Sequence, residues 1–213
     1  LFRSIKKIVL NRLPLIENFE GKSALVWRLS PRQDEQTLPN EACVALKDVI
    51  NISDRMNPYG HIPSLELPKG DWLILRMGHT STGHRNETAG GGKGLECDKF
   101  NPQAVRWQYE NWFGAAFKHI DNDLLHRVLK RMHIDSWECG SQNWTKNFPE
   151  EFKQRRGYDL MPYMPLFAGI PLENAALSEA VLYDVRQTIS DLTNEAFFGT
   201  LHALAAEKGC LLS

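Results

Sequence analysis

The sequence predicts an α/β fold built on parallel strands, and three observations carry that expectation. Apolar, strand-like residues run into carboxylates at Gly94-Leu95-Glu96-Cys97-Asp98-Lys99 and again at His133-Ile134-Asp135-Ser136-Trp137-Glu138-Cys139-Gly140. Helical periodicity follows each stretch. A third strand-like stretch, Cys210-Leu211-Leu212, comes after the longest helical pattern. Strand, helix, strand, helix, strand with right-handed crossovers favours a barrel or a doubly wound sheet.

Residues 1–45 read as a weak helix, a short apolar strand at 24–27 and a polar loop at 30–35. From 46 to 83 the period shortens. Val49-Ile50-Asn51-Ile52 and Ser64-Leu65-Glu66-Leu67 are strand candidates, and Pro68-Lys69-Gly70-Asp71 turns the chain into a third at 72–78. Short strands joined by tight turns predict a small antiparallel β insert over 48–83. The polar, glycine-rich residues 84–93 have neither P-loop nor dinucleotide spacing, and they predict a flexible loop over a site.

Asn101-Pro102 supplies an N-cap and a proline at the first helical position, and Val105, Tyr109, Trp112, Phe113, Ala116 and Phe117 recur at helical spacing. A second helix is predicted over 121–131, with acid near its start and Lys130 and Arg131 near its end. A strand follows at 133–137. A helix then begins at Phe148-Pro149 and ends at Gly157. The longest helix is predicted over about 173–208. Its buried stripe is Leu177, Val181, Val185, Ile189, Leu192, Ala196 and Leu204, and Gly209 stops it.

Composition narrows the class. With 213 residues, 42% of them hydrophobic, the chain can bury a sizeable core as one domain or part of one. A formal net charge of -1 argues against nucleic acid or an anionic membrane as a general partner, and no apolar run approaches the roughly 20 residues of a membrane span. The first residues carry neither Met nor the apolar core of a signal peptide, and the chain is expected to be truncated at both ends. Cys43, Cys97, Cys139 and Cys210 show no metal-ligand spacing, and Cys97 and Cys139, each after a glutamate at a proposed strand end, are expected as buried free thiols. The sequons at Asn51, Asn86 and Asn143 matter only in a eukaryotic secretory pathway.

Two carboxyl groups across a pocket are the minimum equipment for cleaving a glycosidic bond. An acid that protonates a leaving oxygen needs a raised pKa, which apolar surroundings supply. Glu138, between Trp137 and Cys139 at a strand end, is the first candidate; capping the next turn is its alternative role. Asp135 points to the same side of its strand as Trp137. Glu96 and Asp98, two apart, suit sugar hydroxyls, a hard cation or the start of a helix. Calcium prefers oxygen ligands, and Asp98, Asn86 and Asn143 offer them. His79 and His84 frame the glycine-rich loop and can reach a polar ligand. Trp137 and Trp144 flank the acidic strand end and offer aromatic faces to a sugar. No nucleophile elbow for a Ser-His-Asp triad occurs.

Over residues 48–213 the chain resembles glycoside hydrolase family 106, the α-L-rhamnosidases. The likeness rests on Leu75-Arg76-Met77-Gly78-His79-Thr80-Ser81-Thr82-Gly83, Gly94-Leu95-Glu96-Cys97-Asp98-Lys99 and Asp135-Ser136-Trp137-Glu138. Asn143-Trp144-Thr145 and the run 151–160 extend it. The resemblance implies a partial (β/α)8 TIM-type barrel and an inverting mechanism with two glutamates acting on terminal α-L-rhamnosides. Glu138 is the implied general acid and Glu96 the alternative, with the partner base on a later strand beyond Ser213. A calcium ion near the sugar, with Asp98 and Asn86 as its ligands, is also implied. So are a longer polypeptide carrying β-rich modules, a carbohydrate as the partner, and a periplasmic or extracellular location. A carbohydrate-binding or structural fragment without turnover is the rival expectation.

Overall fold

A computed structural model of the chain describes residues 16–26, 38–85, 92–135, 137 and 140–213. The expected helix before residue 16, the loop at 30–35 and most of the glycine-rich loop lie outside the described residues. So do Asn86, Ser136, Glu138 and Cys139.

Helices dominate, and the N-cap expected at Asn101 forms. After the short α1 (Phe19–Lys22), helix α2 (Pro102–Asn111) begins where the Asn101 side chain accepts from the Gln103 N–H at 3.0 Å. Helix α3 (Phe113–Phe117) continues the aromatic run. Asp121 caps α4 (Asn122–Val128) by accepting from the Leu124 N–H at 3.0 Å. Helix α5 (Phe148–Arg156) stops at Gly157, whose φ of 84° is the left-handed conformation that glycine adopts without a Cβ penalty.

The long helix is one unbroken rod in three pieces: α6 (Ala175–Leu192), a π-helical turn (Thr193–Gly199) and α7 (Thr200–Glu207). Asn174 caps it, accepting from the Leu177 N–H at 2.8 Å. A 3-10 segment, Met161–Ala168, connects α5 towards it.

Two short strands carry the sheet. Strand β1 (Arg131–Met132) pairs in parallel with β2 (Leu211–Leu212), Arg131 opposite Leu211 and Met132 opposite Leu212. The pairing runs on beyond both strands, since the Ile134 N–H donates to the Ser213 carbonyl at 2.9 Å. The connection between these parallel neighbours is helical, which is the crossover that the βα texture predicted.

The core follows from these helices. Phe148 and Phe152 of α5 are 0% exposed and pack with Leu160, Leu166, Leu172, Val181, Leu182 and Val185. Burying each large apolar side chain contributes roughly 1.5–3 kcal/mol, so this seam holds α5, the 3-10 segment and α6 together. A second cluster of Tyr109, Met132, Leu204, Ala205 and Cys210 fastens α2 and α7 to the strand pair.

The expected antiparallel insert is corrected. Among residues 48–83 no strand forms; the chain is irregular, with a 3-10 turn at Ser53–Arg55 and a tight turn closed by the Gly60 N–H on the Asn57 carbonyl. Trp72, Leu73, Ile74, Leu75 and Met77 are all exposed. Alternation makes a strand only where a ladder partner and a covering face exist, and no described segment supplies either. The same reason removes the strands expected at 24–27 and 94–98. Ala24 has a φ of 55° and lies in a turn, Trp27 is outside the described residues, and Leu95 makes only an isolated antiparallel bridge to Arg85.

Candidate active site

Asp98 joins the first acidic stretch to the loop that follows the second. Its Oδ1 accepts from the Phe100 N–H at 3.1 Å and from Gln142 Nε2 at 2.6 Å, and its Oδ2 accepts from Thr145 Oγ1 at 2.6 Å. Gln142 answers by accepting from the Lys99 N–H at 3.2 Å through its Oε1. One carboxylate therefore stitches the loop entering α2 to the loop entering α5. Asn143 continues the stitching, donating from Nδ2 to the Ser23 carbonyl at 2.9 Å.

Glu96 lies on the other side of the same loop. Its Oε2 pairs with Lys99 Nζ at 2.5 Å, and the lysine is only 6% exposed. The ammonium also stands 5.3 Å from the Trp137 ring centre and 5.6 Å from that of Phe197. Those rings meet edge to face at 5.7 Å, and Trp137 Nε1 donates to the Gly140 carbonyl at 2.8 Å. A shallow cleft of about 190 Å³ runs beside Trp137, with Phe100, Gly140, Gln142 and Thr193 on its walls. Between the two carboxylates, burial pushes the Cys97 thiol above its ordinary value, opposed by Lys99 and reinforced by Glu96 and Asp98. A thiol raised in this way is protonated at neutral pH and is no nucleophile.

The histidine loop closes on this side. The Glu96 N–H donates to the His84 carbonyl at 3.0 Å, beside the Arg85–Leu95 bridge. His84 also lies against Gly140, where a Cβ would come within 2.3 Å of the ring, and Gly140 has a φ of 76°. Only glycine fits there. His79 is exposed, with its ring 6.4 Å from that of Trp144. Trp144 itself packs on Phe148 at 5.1 Å and Phe167 at 6.1 Å, so most of its surface serves the core. Asp135 is exposed just beyond β1.

The structure thus brings Glu96, Asp98, His84, Trp137 and Asn143 into one neighbourhood. It gives Asp98 and Asn143 fixed structural partners and leaves His79 and Trp144 at one edge. Lys99, Gln142, Thr145 and Phe197 were missed as site residues. Lys99 and Thr145 stand inside quoted motifs, whereas nothing local marks Gln142 or Phe197.

The expected calcium ligands are only partly in view. Three donors already point at Asp98, and among the described residues no group of three or more His, Cys, Asp or Glu side chains is placed to hold a metal ion. Asn86, the other expected ligand, lies outside those residues.

The family model of glycoside hydrolase family 106, described as alpha-L-rhamnosidase, matches residues 4–211. A protein of Formosa agariphila named "Putative beta-glucuronidase" is 36% identical over 181 residues, which are 84% of this chain and 15% of that protein. The solved structure of a rhamnosidase from Novosphingobium sp. PP1Y superposes on 93% of this chain with a TM-score of 0.70 and 26% identity, using 19% of that chain. The chain therefore spans less than a fifth of the length of either relative.

Proposed function

The chain belongs to glycoside hydrolase family 106, the α-L-rhamnosidases, and on that premise we propose that it forms part of the catalytic domain of a longer enzyme hydrolysing terminal α-L-rhamnosides with inversion. The observation that carries the reading is the convergence at one rim of Glu96, Trp137 and the Asp98-stitched loops. That rim follows β1, and ligand sites of parallel α/β folds gather at strand C-terminal ends. The parallel pair β1–β2 with its helical crossover supports a partial (β/α)8 barrel as the larger architecture, residues 1–213 forming one piece of it.

In this reading Trp137 offers an aromatic face to the sugar C–H groups. Glu96 presents a carboxylate fixed on one side by Lys99, and Glu138, the next residue after Trp137, donates the proton to the leaving oxygen. Asp135 and the imidazoles of His79 and His84 reach sugar hydroxyls from the open side. Asp98 and Asn143 act by holding the loops, and Trp144 closes the edge against the core. A general base from outside this chain activates the water, since an inverting pair leaves room for it between the carboxyl groups. No step is routed through calcium. Action outside the cytoplasm belongs to the same proposal; no helix among the described residues is long and apolar enough to cross a membrane.

The test is turnover by the full-length polypeptide of aryl α-L-rhamnosides against aryl β-D-glucuronides. Rhamnoside hydrolysis with little glucuronide hydrolysis is expected, and the reverse order would transfer the chain to the specificity in the Formosa agariphila relative's name.

A further inference from the structure

Lys99 is an unusual residue to bury. An ammonium withdrawn from water is retained where its partners offset the desolvation, and Glu96, Trp137 and Phe197 are among the partners of this one. Glu96 takes it at 2.5 Å, and the faces of Trp137 and Phe197 lie 5.3 and 5.6 Å away. The ring quadrupoles attract the cation, more strongly where water is excluded. Phe197 belongs to the π-helical turn Thr193–Gly199, and such turns interrupt long helices mostly where function needs a side chain redirected. Two residues before Phe197, Glu195 is paired with Arg155 of α5, which ties the same turn to that helix. The lysine thus touches the acidic loop, the tryptophan wall and the irregular turn at once.

We propose that Lys99 is a positioning residue that fixes the carboxylate of Glu96 against the Trp137–Phe197 wall. The inference rests on the rhamnosidase reading in taking Glu96 to face the sugar. Its mechanical part, that the ammonium locks carboxylate and indole into one geometry, stands on distances alone. Lys99 transfers no proton and touches no substrate; it removes the freedom of a side chain that does. A misplacement of about 1 Å can cost a reaction about 100-fold.

The experiment uses the full-length polypeptide with Lys99→Met, Lys99→Arg, Glu96→Gln and the double variant Lys99→Met/Glu96→Gln. Lys99→Met is expected to lower kcat on α-L-rhamnosides about 100-fold while KM moves less than about threefold. In the Glu96→Gln background the same change should add less than about threefold, because the group it positions is gone. Equal losses in both backgrounds would overturn the proposal and leave a purely structural lysine. Lys99→Arg keeps the charge and should stay within about tenfold of wild type; a loss equal to that of Lys99→Met would also overturn it. If Lys99→Met does not fold, the arginine variant carries the kinetic test through the same double-variant comparison with Glu96→Gln. A second readout separates this idea from the functional reading. The difference in tryptophan emission between wild type and Trp137→Phe isolates Trp137, and it should shift when Lys99 is replaced. A wild type without rhamnoside turnover but with that shift would sink the rhamnosidase reading and keep the positioning role. An unshifted difference spectrum would sink the positioning role itself.

Discussion

Glu138→Gln in the full-length polypeptide is expected to slow hydrolysis of rhamnosides with poor leaving groups by about 10²–10⁴-fold, the range that general acid catalysis typically contributes. The amide keeps the shape and hydrogen bonding of the acid but delivers no proton. Activated aryl rhamnosides leave as stable phenolates and need little protonation, so their turnover should fall much less. Glu96→Gln should behave differently. Its carboxylate is engaged by a buried ammonium that also stands over the Trp137 ring, which suits binding and charge stabilisation, so both substrate types should suffer alike. Turnover of the two substrate types by each variant checks the assignment. Selective loss in Glu96→Gln with uniform loss in Glu138→Gln would exchange the two roles.

Asp98→Ala carries the largest expected cost in stability. The carboxylate accepts from the Phe100 N–H, Gln142 Nε2 and Thr145 Oγ1, and Thr145 is only 7% exposed. Hydrogen bonds to a charged group contribute about 1.5–3 kcal/mol each, and an abandoned buried donor costs more than a bond never made. A destabilisation of roughly 3–5 kcal/mol is expected, because the three effects overlap at one site. Asp98→Asn keeps one acceptor oxygen and should cost less. The check is the unfolding midpoint of this domain in the full-length protein. A midpoint for Asp98→Ala unchanged from wild type would mean that the loops before α2 and α5 are held by other contacts.

What the sequence revealed follows the range of the interactions involved. The starts of α2, α4 and the long helix were visible because Asn101, Asp121 and Leu177 with its stripe act within one turn. Gly157 and Gly209 marked helix ends for an equally local reason, their positive φ angles of 84° and 68°. Strands at 49–52, 64–67 and 72–78 were misread because alternation records only one side of a pairing. The parallel pair is legible near its place, with β1 starting two residues before the expected 133, since its apolar residues flank a long helix in the sequence.

The site divides in the same way. Both acidic stretches were visible, and the structure brings them together. Their connection was not visible, because Asp98 reaches Gln142 and Thr145 across 44 and 47 residues. In sequence Asp98 suits sugar hydroxyls, a hard cation or the start of a helix, and the partners it has in the structure are hydrogen-bond donors. Phe197 could not be foreseen, because a π-helical turn leaves the apolar stripe of the sequence nearly intact while turning that side chain towards Trp137.

The central claim is that this chain contributes to an inverting α-L-rhamnosidase, and proton NMR of the first-formed sugar tests it most directly. Hydrolysis of an aryl α-L-rhamnoside by the full-length polypeptide should release β-L-rhamnose first, the α anomer growing in only by mutarotation. Release of α-L-rhamnose first would mean a covalent glycosyl intermediate with carboxyl groups about 5–5.5 Å apart, and would contradict the account.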